Sequence, residues 1–252
     1  MAVLCGAATV WATQVSSPAA QAPSLLPDLS PQSPRQLTVR AVRRDGGQRL
    51  MLGFRSAADN LGAGPLVVEA NRDPRRPSLL ATTQLVTQAD GTEVRRPLPA
   101  RLRYVRSADH SHWHYLGFMR YELRRPAGGR RLGRDRKTGF CLGDRYMTPP
   151  ARPPQARRGP PAFETTCGKG RPDLTSLREG ISVGYGDDYD AHLEGQEIDV
   201  TGLAPGRYVL VHTVNPARSL AELTYRNNTS RAVIRIGRTA RGRPTVRLLR
   251  RP

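Results

Sequence analysis

Three histidines alternate along one short segment, Asp109-His110-Ser111-His112-Trp113-His114-Tyr115. Successive side chains of a β-strand alternate faces, so the three imidazoles would point to the same side. Neutral imidazoles on one face are good ligands for copper or zinc. In a flat strand the outer two residues would lie about 13 Å apart, so the strand must bend or twist for all three rings to reach one ion. The alternative is a polar strand face without a metal. Since three of only five histidines fall here, the pattern favours a metal site, although the triplet alone does not choose between copper and zinc.

Lysine is the second residue type that invites a chemical explanation. The formal net charge is +19, yet Lys137 and Lys169 are the only lysines. Arginines clustered on one face would indicate a nucleic-acid or anionic-surface footprint. Because the arginines are spread along the whole chain, they indicate instead a codon preference of the kind seen in GC-rich bacterial genes. No specific nucleic acid is therefore expected as a partner. In a sequence that avoids lysine, Lys137 inside a patterned segment is a candidate for chemistry.

Two further blocks follow the histidines in order. The first is Lys137-Thr138-Gly139-Phe140-Cys141-Leu142-Gly143-Asp144, and the second is Tyr185-Gly186-Asp187-Asp188-Tyr189-Asp190. Together with the histidine cluster, they resemble the copper, cofactor-lysine and cofactor-tyrosine blocks of lysyl oxidases. Segments around Ile198, Pro205, Val214 and Tyr225 continue in that family's order, so the resemblance covers roughly residues 25–236.

The resemblance implies a copper-dependent amine oxidase. Copper would be held by His110, His112 and His114, and a lysine tyrosylquinone would form from Lys137 and Tyr185. A primary amine would condense on this electron sink, and aldehyde, ammonia and hydrogen peroxide would be released.

Nearby charged residues suggest further roles. Positive charge from Arg134 and Arg136 would lower the pKa of Lys137 and aid its addition to the ring. Asp188 and Asp190 are candidates for the base that removes the proton alpha to nitrogen. Their alternative role is to cap turns or to pair with arginine.

The chain also departs from the family's pattern. Between Tyr185 and Ile198 it carries a few more residues than the animal enzymes. The family's set of disulfides is reduced here to one possible pair. These differences bear on substrate preference and loop geometry.

The first residues predict export. Residues 2–12 form an apolar stretch and Ala19–Ala22 supplies a small-x-small cleavage pattern, so residues 1–24 are interpreted as an export segment and the protein as secreted. No later segment is apolar enough to predict a membrane span. Cys5 falls within the export segment. Cys141 and Cys167 are then expected to form a disulfide, worth roughly 3 kcal/mol.

The elements that must position these residues are short strands. With 22 prolines and 24 glycines, alternating segments such as 36–40, 49–55 and 207–214 are separated by turns, and no long amphipathic helix is evident. The pattern predicts an all-β, single β-sandwich-like domain over residues 25–236, with long loops and the metal site on a histidine-bearing strand. The proline-rich stretch 149–161 is expected to be a surface loop, and the arginine-rich residues 237–252 a disordered tail.

The leading functional hypothesis is a secreted, monomeric copper amine oxidase acting with molecular oxygen on a primary amine or a lysine-containing peptide or protein. The runner-up is an extracellular copper-binding sandwich without enzyme activity. A third hypothesis is an adhesion-type sandwich that binds an anionic cell-envelope surface through its arginines.

Overall fold

The structure is a computed structural model that describes residues 22–44, 46–73, 75–76, 78–106, 111–126, 129–135, 137, 139–191, 193 and 195–250. Residues 1–21 of the predicted export segment lie outside this range, as do His110 and Arg136. Within the described part of the chain, no helix is long and apolar enough to cross a membrane.

The described chain is all-β, as the sequence predicts. Its strands are β1 Leu29–Pro31, β2 Arg35–Arg44, β3 Gly47–Asn60, β4 Leu66–Arg72, β5 Leu79–Thr87, β6 Glu93–Arg106, β7 Ser111–Leu116, β8 Met119–Arg124, β9 Arg131–Arg134, β10 Gly139–Phe140, β11 Tyr146–Met147, β12 Ser176–Ile181, β13 Tyr185–Tyr189, β14 Glu197–Asp199, β15 Gly206–Val214, β16 Thr229–Arg238 and β17 Pro244–Arg250.

These strands form three antiparallel sheets. The first runs β1-β3-β13-β11, with β2 and β14 also paired to β3; the second runs β10-β7-β6-β5-β4-β12; the third runs β17-β16-β15-β8-β9. The histidine-bearing β7 therefore lies in the second sheet, and the tyrosine-bearing β13 in the first. Any site that uses both must lie where these two sheets meet.

Aromatic side chains fill the core between the sheets. Phe54 on β3 packs edge-to-face on Tyr121 of β8, with ring centroids 4.8 Å apart. Phe140 lies 6.5 Å from Tyr121 and 5.1 Å from Tyr189. Contacts of this kind, edge-to-face or tilted, add to the burial of large rings. The aromatic cluster thus runs from Tyr121 in the third sheet to Tyr189 on β13. It holds the side chain of Phe140, which lies three positions after Lys137.

The arginine-rich end of the chain differs from the prediction of a disordered tail. Within residues 237–252, Pro244–Arg250 form β17, which pairs with β16 from Arg238 to Val233. Apolar Val246 packs partly buried against the core, and this burial favours a strand despite the surrounding positive charge. The high density of arginines hides this short apolar alternation in the sequence.

A buried histidine gives the fold a defined acid response. His212 on β15 is fully buried, with Nδ1 3.2 Å from the carbonyl oxygen of Gln32 and the ring 4.7 Å from that of Tyr121. Burial lowers the pKa of His212 from 6.5 to about 4. As the pH falls below about 6.5, the unfolded chain takes up a proton at His212 while the folded chain does not, so the contribution of His212 to the free energy of unfolding should fall by roughly 3 kcal/mol between pH 6.5 and 4. Denaturant unfolding of the wild type and of His212→Gln at several pH values measures this contribution, because the wild type should lose stability relative to the variant across that interval. Equal slopes would contradict the assignment.

Candidate active site

The histidine-bearing strand presents two imidazoles to one cavity. His112 and His114 lie on the same face of β7, with their Nε2 atoms 2.9 Å apart. His114 is buried, and a Cβ on Gly139 of the neighbouring β10 would lie 2.6 Å from the His114 Cβ, so this position accepts only glycine. Within the described residues, no group of three or more histidine, cysteine, aspartate or glutamate side chains is arranged to hold a metal; His110, the third predicted ligand, lies outside them.

Lys137 lies just before β10 and borders the same cavity, which has a volume of about 440 Å³. Its Nζ is 5.3 Å from the ring centre of Phe140 and 5.1 Å from that of Tyr189. The backbone of Gly195, at φ +75°, packs against Lys137, since a Cβ there would come within 3.1 Å of its backbone. Lys137 is therefore held between β10 and the loop after β13, with its amine facing an aromatic ring.

Tyr189 is the tyrosine that meets Lys137. It is buried at the end of β13, and its hydroxyl lies 2.6 Å from Asp187 Oδ2 and 2.8 Å from the carbonyl oxygen of Cys141. Burial raises the pKa of Tyr189 well above its usual value, and the nearby Asp187 adds to this. Both partners hold the ring in one orientation beside the Lys137 amine.

An ion pair between a buried aspartate and a partly exposed arginine supports this tyrosine. Arg145 Nε donates to Asp187 Oδ1 at 2.5 Å, and its guanidinium lies 5.6 Å from the Tyr189 ring centre. Burial raises the pKa of Asp187 to about 7, against the opposing effect of Arg145. The sequence pattern contains Asp187 and Tyr189 but does not reveal a role for either, and nothing in the sequence singles out Arg145.

The structure does not bring Tyr185 to Lys137, which corrects the predicted pairing. Tyr185 begins β13 beside Met147, and its hydroxyl donates to the carbonyl oxygen of Gly159 at 3.2 Å. It is not among the residues that line the Lys137 cavity. Tyr185 lies four positions before Tyr189 along an extended strand, a distance of about 13 Å. Residues 185, 187 and 189 share a strand face, so alternation alone does not distinguish the two tyrosines.

The two predicted base candidates both border the cavity and both contact one arginine. Arg55 on β3 donates to Asp188, and its Nε lies 3.4 Å from Asp190 Oδ1. The hydrogen bond to Asp188 raises the pKa of Arg55. Pairing with arginine was the alternative role considered for these residues. Both residues also line the cavity that contains Lys137.

The segment after Lys137 is fixed by a disulfide and by one aspartate. Cys141 and Cys167 form the predicted disulfide, which joins residues 26 positions apart. Asp144 accepts hydrogen bonds from the backbone nitrogens of Ser182, Ala162 and Phe163 at 2.7, 2.8 and 3.1 Å. Since the carbonyl of Cys141 contacts Tyr189, these links connect the loop directly to the position of the tyrosine ring.

A comparison with protein-family models identifies the family of this chain. The model of the lysyl oxidase family matches residues 67–241, which include every described residue of the cavity. The chain belongs to the lysyl oxidase family. The match spans β7, β10 and β13, the three strands that bring the histidines, Phe140 and Tyr189 together.

Curated relatives agree with the family. Protein-lysine 6-oxidase of Sus scrofa is 33% identical over 144 residues, covering 55% of this chain and 50% of the pig protein. The Homo sapiens protein of that name is also 33% identical over 144 residues, covering 55% and 30%. Human lysyl oxidase homolog 1 is 30% identical over 176 residues, covering 62% and 27%. The chain thus spans half or less of the length of these lysyl oxidase relatives.

Proposed function

We propose that this protein is a secreted, copper-dependent amine oxidase that converts a primary amine or a peptidyl lysine, with water and dioxygen, into an aldehyde, ammonia and hydrogen peroxide. The observation that carries the proposal is the Lys137 amine 5.1 Å from the Tyr189 ring, in one cavity with the His112 and His114 pair. Membership of the lysyl oxidase family supports the reaction class, since its relatives include proteins named protein-lysine 6-oxidase.

The histidine pair fits a copper ion. Metal–imidazole bonds are close to 2.0–2.1 Å, so two nitrogens 2.9 Å apart suit adjacent positions around one ion. His112 and His114 would hold the copper, with His110 as the third ligand proposed from the sequence. When bound, copper supplies the redox chemistry that oxidises a nearby tyrosine ring in the presence of dioxygen.

The quinone precursors are proposed to be Lys137 and Tyr189, in place of the pair Lys137 and Tyr185. The cross-link needs a carbon–nitrogen bond between the lysine Nζ and the tyrosine ring, and Lys137 faces the Tyr189 ring. Asp187 holds the Tyr189 hydroxyl at 2.6 Å. Because its pKa is close to 7, Asp187 is suited to take or return a proton at that oxygen.

Lysine must be neutral to form the bond, since a protonated amine has no lone pair for attack. The Arg145 guanidinium lies 5.6 Å from the same ring and lines the same cavity as Lys137. Arg134 borders a second cavity that Lys137 also lines.

Asp188 or Asp190 serves as the base toward the substrate. Both line the cavity, and both contact Arg55, which holds their carboxylates in place. A panel of primary amines and lysine peptides, assayed for peroxide with the copper-loaded protein, tests the proposed function. Peroxide formed with at least one amine, accompanied by an equal amount of aldehyde, supports it. No turnover of any amine would favour the copper-binding protein without enzyme activity.

Copper stoichiometry provides a separate test. His112→Ala should reduce bound copper from one ion per chain to a residual amount by elemental analysis, because it removes a ligand from the pair. His212→Gln is the matched control: His212 lies in the core against Gln32 and Met119 and should leave the copper content unchanged. Undiminished copper in His112→Ala would contradict the assigned ligands.

A further inference from the structure

A groove rich in arginine crosses the outer face of the third sheet. Its volume is about 600 Å³, and valines of β15 and β16 form its floor. We call it the arginine groove after its six arginines, Arg120, Arg124, Arg125, Arg218, Arg231 and Arg250.

Strand register builds the groove. Val211 on β15 pairs with Glu122 on one side and Arg231 on the other, so the three side chains share one face. In the next row, Arg124 and Val233 flank Val209. Arg250 of β17 pairs with Val233 and extends that row. Charged side chains thus stand on both sides of a narrow apolar floor.

The charge of the groove is unbalanced. Glu122 is the single acidic residue among the described lining residues, and it is engaged by Arg124 at 2.6 Å and by Arg120 at 3.7 Å. In the described part of the chain, no carboxylate lies within 4.0 Å of Arg125, Arg218, Arg231 or Arg250. Several guanidinium groups along one concave surface attract a polypeptide that carries several carboxylates, and each guanidinium can form two parallel hydrogen bonds with a carboxylate.

The arginine groove continues to the candidate active site. Arg120 and Pro216 line both the groove and an adjoining cavity of about 400 Å³. Lys137 lines both this cavity and the one that contains the histidine pair. An extended chain lying in the groove therefore leads towards Lys137 along a continuous surface.

We propose that the arginine groove binds the acidic polypeptide that carries the lysine to be oxidised. This inference rests on the proposed amine oxidase function and adds a substrate class to it. With a formal net charge of +19, the protein repels ammonium groups, so a free amine gains nothing from its field. A lysine flanked by glutamates or aspartates is attracted through its neighbours. The valine floor suits the methylene groups of such side chains, whereas a phosphate polymer would use the arginines alone.

Two matched peptides test the proposal. One has a single lysine with glutamates on both sides, and the other has glutamine in place of each glutamate. For the copper-loaded protein, kcat/KM should favour the glutamate peptide by roughly tenfold at low salt, mainly through KM, and salt should reduce this preference. A third peptide, with norleucine in place of the lysine, reports binding by fluorescence anisotropy without any oxidation.

Charge variants locate the effect. Arg231→Gln with Arg250→Gln should raise the KM of the glutamate peptide and the Kd of the norleucine peptide roughly tenfold. Arg43→Gln with Arg96→Gln removes the same charge from exposed strand positions outside the groove and should change neither value. The proposal would be overturned if the two pairs of arginine substitutions had equal effects, or if the two lysine peptides were oxidised equally well. Binding of polyphosphate without binding of the norleucine peptide would also overturn it. If no amine is oxidised at all, the proposed function fails. Binding of the norleucine peptide then still tests whether the arginine groove binds an acidic polypeptide.

Discussion

Replacing Tyr189 with phenylalanine is expected to abolish quinone formation and amine oxidation while copper binding is retained. A phenylalanine ring has no hydroxyl for conversion to a quinone, and Asp187 loses the partner that lies 2.6 Å away. The buried carboxylate left behind should lower the free energy of unfolding by about 1–3 kcal/mol. Quinone staining, peroxide assay and denaturant unfolding measure these three effects on the same preparation.

Tyr185→Phe is the matched control for this prediction. It removes a hydroxyl from the same face of the same strand, but that hydroxyl contacts only the Gly159 carbonyl among the bonds described. We expect a loss of about 0.5–1.5 kcal/mol in unfolding free energy and a normal quinone. Loss of the quinone in Tyr185→Phe, with full activity in Tyr189→Phe, would restore the pairing predicted from the sequence.

Lys137→Arg should likewise reduce amine oxidation to background. The guanidinium keeps the positive charge over the Phe140 and Tyr189 rings but cannot supply a primary amine to the ring. Copper content should stay near one ion per chain, because neither histidine is altered. Elemental analysis and quinone staining separate the loss of cofactor from the loss of metal.

Lys169→Arg is the control within the same cavity. Lys169 also borders this cavity and is the only other lysine in the chain. The control therefore makes the same lysine-to-arginine change at another position that lines the same cavity. The Lys169 variant should still form the quinone. Full amine oxidation by Lys137→Arg would contradict the cofactor assignment.

Much of the fold could be predicted because its strongest signals are local. The alternation of residues 36–40 and 49–55 around a glycine turn predicted the hairpin that β2 and β3 form. The same reasoning predicted that His112 and His114 share a face of a strand. β17 was missed, since the arginines around Val246 and Leu248 obscure a weak alternation that is stabilised by pairing with β16.

The choice of tyrosine could not be settled by local pattern. Which residue of β13 meets Lys137 depends on the pairing of Asp188 with Ala57 on β3, a contact between distant parts of the chain. One signal was present in the sequence. The chain carries a few more residues between Tyr185 and Ile198 than the animal enzymes, and an interval that starts at Tyr189 is four residues shorter.

Peptide mapping of the mature protein tests the central claim most directly. The apo protein is treated with copper in air, digested, and analysed by mass spectrometry for cross-linked peptides. We predict one cross-linked pair, joining the peptide that contains Lys137 to the peptide that contains Tyr189, and none from protein kept without copper. A cross-link from Lys137 to Tyr185, or copper-loaded protein in which both peptides are recovered unmodified, would contradict it.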